Sequence, residues 1–496
     1  MNKQIYTKVL YKKASTLSSF VARYSFFTLT ICIFAFSFLL LNSCKDSKKA
    51  KDSHKITDVS ISDKTKEYLQ KNEKKIHINI IELRSAYPEM RESVEKLLQE
   101  FQLHSNNRIS ITHKNDDNPI FDKIATGAIV RAQIIYKTDT ATIGLTKQIE
   151  GLSVLQSLEA SISDLEYKFT TAIQSLLDIK ERHIAFIEGH NELSRVYTYE
   201  AEEALSRYYN ISRGQIGNNI ADLDNFDAII IAGPKQQFST SEKYIIDQYI
   251  MHGGRVLWLI DGAYFSINEL THNGYSASIK NETNLDDMLF TYGVRINPDF
   301  VQDKQCVKLR TEDSNYSEFD FYTPLLNSSD NSPISRNIGW VKTSFISSID
   351  TVKTRYQSEK TILLYSSNKS RISKVPDPVS YDNAIIGGYI SDFNRKNIPT
   401  AISLQGVFES VFANRVIPQE VVGGSSTLTQ SKETRMIVVS SSDIIRNEVK
   451  GYGNETQVIP MGYDALKSKQ YGNREFIINA VNWLTDDDNW MQLRMK

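Results

Sequence analysis

Glu188, His190 and Glu192 fall within one five-residue stretch, Glu188-Gly189-His190-Asn191-Glu192. Two carboxylates beside an imidazole are the groups that proton transfer or metal ligation requires. The stretch follows HIAFIEG, an apolar run from His183 that reads as a strand. Three further runs have the same character. DAIIIA ends in Gly233-Pro234, RVLWLI ends in Asp261-Gly262, and RMIVVS leads into Asp443. Open α/β sheets take ligands at the carboxyl ends of their strands. Glu188, His190, Glu192, Asp261 and Asp443 are therefore the candidate ligand-binding set. The plainer reading has Gly189 making the turn while its polar neighbours cap or solvate a loop. No residue is assigned as catalytic, no metal site is assigned, and no cofactor is implied.

Several chemistries are excluded by what is missing. The chain has no G-x-x-x-x-G-K-[ST], so it is not itself an ATPase of the P-loop kind. It also lacks G-x-S-x-G, H-E-x-x-H and G-x-G-x-x-G. A class I amidotransferase needs a nucleophilic Cys on the sharp turn after a central strand. Here that turn reads Asp261-Gly262-Ala263. Of the three cysteines, Cys32 and Cys44 lie in or beside an N-terminal apolar run, and Cys306 stands alone in the body, so no disulfide framework is available there. Basic and acidic residues balance, 58 against 59, which argues against nucleic acid as the main partner. Trp258 and Trp340 read as core residues before sugar platforms.

The elements that must hold these residues follow from periodicity. Ile76–Leu83 and Arg108–Thr112 read as strands flanking a helix over Met90–Phe101, and a hairpin is expected around Lys137–Asp139. Strand, helix, strand, hairpin over 76–150 is the order of a small thioredoxin-like α/β module, and it contains no cysteine for redox work. Leu152, Leu155, Leu158, Ile162, Leu165, Phe169, Ile173 and Leu176 step at three or four, predicting one connecting helix over 151–181. From His183, strands alternate with helices such as Ser239–Met251, where Ser239 and Glu242 are spaced as a capping box. That alternation implies a doubly wound, amidotransferase-like but non-catalytic α/β domain over 182–490. Residues 300–430 are less regular and read as an insertion. The strand Arg435–Ser440 and the helix Asn473–Leu484 then complete the sheet.

The N-terminus predicts an anchor. Residues 1–23 carry Lys3, Lys8, Lys12, Lys13 and Arg23 with no acidic residue, and Ser25–Leu41 carries no charge. As a helix this uncharged run spans roughly 25 Å, close to a bilayer core. A basic flank before it places the N-terminus in the cytoplasm and the body outside. Two forms of attachment stand side by side: an uncleaved signal anchor within 1–44, or a lipoprotein signal in which Leu41-Asn42-Ser43-Cys44 is cut and Cys44 lipidated. Residues 45–75 are polar and Lys-rich, a tether whose later part starts the first folded unit.

HIAFIEGHNEL (183–193), the long stretch FDAIIIAGPKQQFSTSEKYIIDQYIMHGGRVLWLID (226–261), NLDDMLFTYGVRINPDFVQD (284–303), TRMIVVSSSDIIRNEV (434–449) and YGNREFIINAVNWL (471–484) together resemble one family. It is the GldG family, gliding-motility-associated ABC transporter auxiliary proteins, and the resemblance runs in order from about residue 76 to 490. It implies a non-catalytic periplasmic subunit held in the inner membrane of Bacteroidetes-type bacteria, associated with the ATPase and permease of one transporter. It also implies a fold akin to a domain of an intraflagellar transport protein, for which sugar binding has been suggested. The family carries no established catalytic residues, so none are transferred. Family members usually end with a second membrane helix, whereas this chain ends at Leu493-Arg494-Met495-Lys496 without an apolar run. The alternative function is a membrane-anchored lipoprotein that binds a saccharide or other small ligand at the sheet edge around His190.

Overall fold

The computed structural model describes residues 60–496, apart from 84–85, 115–129, 178–180, 308, 311–315, 318–320, 381–391, 425 and 452–455. The expected anchor, Cys44 and the first part of the tether lie outside the described residues. Among the described residues, no helix is long and apolar enough to cross a membrane.

The tether's later part is helical, α1 (Asp63–Lys71), started by the Ser62 hydroxyl, which accepts from the Thr65 N–H. Then come β1 (Ile76–Ile81), α2 (Pro88–His104), β2 (Ile109–Lys114) and the hairpin β3 (Arg131–Tyr136) and β4 (Asp139–Gly144). They form a four-stranded sheet in the order β2-β1-β3-β4, with β1 parallel to β2 and antiparallel to β3. Lys137 takes the positive φ (55°) that the tight turn between β3 and β4 requires.

The expected connecting helix is two helices, α3 (Val154–Ser163) and α4 (Leu165–Leu177). The periodicity holds across both, so it hides the break at Asp164. Ser161 and Ser163 turn their hydroxyls back onto the carbonyls of Ser157 (2.7 Å) and Ala160 (3.0 Å), which loosens the last turn of α3. The pair does more than connect: Ile162, Leu165, Phe169, Ile173 and Leu177 pack in one core with Ile78, Ile80 and Phe101 of the small sheet and α2.

The second sheet has nine strands. Its elements are β5 (His183–Glu188), α5 (Tyr199–Leu205), β6 (Asn210–Gln215), β7 (Ala228–Ala232), α6 (Thr240–Met251), β8 (Val256–Leu259), α7 (Asp286–Tyr292), β9 (Leu325–Ser328), β10 (Val341–Lys342), β11 (Ser358–Tyr365), β12 (Pro399–Gly406), β13 (Thr434–Val439) and α8 (Asn473–Leu484). The order is β10-β9-β11-β12-β13-β8-β7-β5-β6. Strands β6, β5, β7, β8 and β13 are parallel, and β12, β11, β9 and β10 continue antiparallel. The stretch 300–430, expected as an insertion, thus supplies four strands of the main sheet.

Alternation along each parallel strand feeds two cores. Leu257 and Leu259 of β8 face one way, with Ile230, Ile437 and Val439, against α8 and α5. Val256 and Trp258 face the other, with Ile229, Ile231 and Val438, against α6 and α7. Strands buried on both faces need continuous apolar runs, which AIIIA and VLWL supply. Helix α6 starts where its sequence signals place it, with both halves of the Ser239/Glu242 capping box formed. After α8 a short turn, Trp490–Met495, brings the chain back to the first described residues. Glu166 of α4, nearly buried, accepts from the Ser62 N–H (2.8 Å), the Ser62 and Thr65 hydroxyls (2.6 Å each) and the Lys496 ammonium (2.5 Å). Trp490 meets the edge of Tyr68 alongside.

Candidate functional site

Chain direction creates one break in the parallel half of the sheet. From β5 the chain leaves to one side to make β6 and then crosses to the other side to make β7. The crevice at this switch lies beyond the carboxyl ends of β5 and β7, where such folds bind ligands. Gly189 leaves β5 with a φ of 120° and Gly233 leaves β7 with a φ of 70°. Gly233 also allows a close approach: a Cβ there would sit 2.7 Å from the side chain of Ser442 and 3.6 Å from that of Leu193. The mouth beside Gly233 is thus filled by the chain itself.

His190 sits at this switch and is 4% exposed. Its Nδ1 lies 3.1 Å from Glu192 Oε1 and its Nε2 lies 3.2 Å from Glu242 Oε1. The ring stacks on Phe238 at 3.6 Å, nearly parallel. Burial pulls the imidazole's pKa down, but the bonds to Glu192 and Glu242 more than offset it, so the group is held above its ordinary value. The backbone takes part too. The His190 N–H donates to Glu192 Oε2 at 2.7 Å, and the His190 carbonyl accepts from the N–H groups of Lys235 (2.7 Å) and Gln236 (3.1 Å). Glu242 is at once the capping residue of α6 and the partner of His190, and despite burial its carboxyl is held low by Ser239 and His190. His190 therefore clamps the loop after β5 to the start of α6.

Glu188 belongs to a different group. It pairs with Arg213 of β6 at 2.7 Å. Arg213 also donates to Glu202 (2.6 Å), the Thr198 hydroxyl (2.9 Å) and the Leu193 carbonyl (2.7 Å). Asp261 and Asp443 form a third group around Ser442. Asp261 accepts from the Ser442 N–H (2.7 Å) and hydroxyl (2.8 Å), while Asp443 accepts from the Ser344 N–H (2.8 Å). Burial pushes both carboxyls above the usual carboxylate range, and the Asp261 charge adds to the rise at Asp443.

The five sequence candidates thus share one edge of the sheet but divide among three internal networks. Each carboxylate and both nitrogens of His190 are engaged by the protein. Among the described residues, no group of three or more His, Cys, Asp or Glu side chains could hold a metal ion. Cys306 is buried, its thiol 3.7 Å from the Lys304 carbonyl, and Trp258 is fully buried. Three residues that organise the edge were not singled out for it: Arg213, Glu242 in its second role, and Ser442. Glu242 was visible as a cap by its spacing from Ser239. Arg213 lies on β6, an exposed edge strand whose sequence NISRGQ lacks a continuous apolar run.

This edge belongs to a mixed α/β body, and its five candidate side chains are all paired within the protein. A family model described as "ABC-type uncharacterized transport system", an ABC transporter auxiliary family, matches residues 181–480, more than half of the chain. The protein belongs to that family. A search of curated proteins returned no match. Among solved structures, the chain is similar to the mmIFT52 N-terminal domain, at 16% identity and a TM-score of 0.36, covering 62% of this chain and 98% of that one.

Proposed function

We propose that the protein is a non-catalytic, extracytoplasmic accessory subunit of a bacterial ABC transporter that serves gliding motility or surface-protein export. The observation that carries this reading is the family match over 181–480. The internal pairing of Glu188, His190, Glu192, Asp261 and Asp443 supports the absence of chemistry at the sheet edge. A saccharide at that edge would need polar groups left over for it, and those five already serve the fold. The cysteine-free, thioredoxin-like module over 76–150 acts as a spacer or binding unit between tether and main domain. The body faces the periplasm, held to the inner membrane by the N-terminal anchor or by lipid on Cys44. Its partners are the ATPase and permease of the same transporter.

The test is purification of the tagged native protein in mild detergent, with mass spectrometry of its partners and of its own N-terminus. Co-purifying ATPase and permease subunits support the reading. A protein recovered without transporter subunits, or one that turns over a substrate robustly, overturns it. An N-terminus at Met1 or at a lipidated Cys44 decides between the two anchors.

A further inference from the structure

A second concavity lies away from the His190 edge, where the segments 295–299, 348–350, 372–375 and 395–399 converge. It encloses about 710 Å³, within the range of sites for small and peptide-sized ligands. Its charge is one-sided once internal pairs are removed. Asp350 is taken by Arg295 (2.8 Å) and the Asn297 amide (3.1 Å). Asp299 is buried and accepts from the Ser348 N–H (2.8 Å) and hydroxyl (2.7 Å). Burial pushes its carboxyl above the usual range. What remains is Lys374, Arg395 and Lys396, all exposed at the rim. Among the described residues, none of the three makes a side-chain hydrogen bond or ion pair.

The floor between these cations is aliphatic, made by Ile349, Ile372 and Val375, and among the described residues no aromatic side chain lines the groove. That composition speaks to the ligand. A sugar or nucleobase is normally held by a flat aromatic face, and the described lining offers none. A lone phosphate would fill a small fraction of the volume and leave the aliphatic floor uncovered. An extended peptide carrying carboxylates at the rim and apolar side chains toward the floor satisfies both parts of the surface. We propose that this groove docks an acidic peptide segment of a partner protein, with Lys374, Arg395 and Lys396 reading its carboxylates. The proposal stands apart from the transporter reading: it names a ligand chemistry and a place, and holds whichever assembly the protein joins.

The test uses the full-length protein in detergent and a fluorescein-labelled hexaglutamate peptide, with hexaglutamine as the matched neutral probe, read by fluorescence anisotropy. Hexaglutamate is expected to bind at least about tenfold tighter than hexaglutamine at low salt and to weaken as salt rises. The double variant Lys374→Glu/Lys396→Glu is expected to lose about tenfold or more of that affinity. Lys450→Glu, an exposed charge reversal outside the groove, is expected to leave it unchanged. Equal binding of the two peptides to the unaltered protein overturns the proposal, and that comparison needs no variant to fold. So does equal loss in the Lys450 variant, which would mean non-specific charge attraction. Complete displacement of hexaglutamate by inorganic phosphate at matched ionic strength also overturns it, in favour of a small-anion site.

Discussion

Replacing His190 by alanine tests whether the sheet edge is a joint. The substitution removes a ring that is stacked on Phe238 and bonded to two carboxylates. Removing one partner of a buried ion pair costs about 3–5 kcal/mol, mostly through the charge left behind. The low end applies here because each carboxylate keeps a bond: Glu192 retains the N–H of residue 190 (2.7 Å) and Glu242 retains that of Ser239 (2.8 Å). The expected loss is about 3 kcal/mol, or roughly 3–5 °C in Tm for a body of this size. The pH dependence has a fixed sign. The folded-state pKa of His190 lies above its unfolded value, so its contribution is complete below about pH 6.5. It is lost as pH rises through the folded value. The gap between the native protein and His190→Ala, measured by urea denaturation, is therefore widest in mildly acid buffer and narrows in alkaline buffer. A gap below about 1 kcal/mol, or one that does not change with pH, refutes the clamp.

Asp443→Asn is expected to be stabilising near neutral pH. Burial and the Asp261 charge raise the folded-state pKa of Asp443, so keeping it ionised costs stability above that value and the cost is relieved as pH falls through it. The variant's advantage in Tm should shrink on acidification, and a variant less stable than the native protein at neutral pH contradicts this account. Gly233→Ala is expected to destabilise by about 2 kcal/mol or more, because its φ is positive and a Cβ would press on Ser442. Differential scanning calorimetry showing an unchanged melting temperature would mean that the mouth beside Gly233 is not packed as described.

How much of this was legible in the sequence depended on element length and exposure. Helix α6 announced itself by its capping box, and β7 and β8 by apolar runs that only a doubly buried strand tolerates. Strand β10 spans two residues, and β9 four, too short for any periodicity to register. Strand β9 joins the main sheet by pairing with β11, and β10 by pairing with β9, and neither pairing is visible in the local sequence. Asp247 shows the same limit. It occupies an unremarkable position in α6, yet it is fully buried and accepts from Ser410 (2.6 Å), Val411 (2.9 Å) and Tyr292 (2.8 Å). The site candidates were placed at strand ends because strand ends are visible in a sequence. Which of them would touch was not, since Glu242 and Arg213 reach the edge from other elements.

The meeting of the first and last described residues at Glu166 has a mechanical consequence. Ser62 and Thr65 on one side and Lys496 on the other grip the same carboxylate, so the body is a loop drawn closed at one knot. A pull arriving along the chain toward residue 60 is met first by that knot and by the contact of Tyr68 with Trp490. The nine-stranded sheet would come under load only after these short-range fastenings give way, so under such a pull the protein yields first beside residue 60.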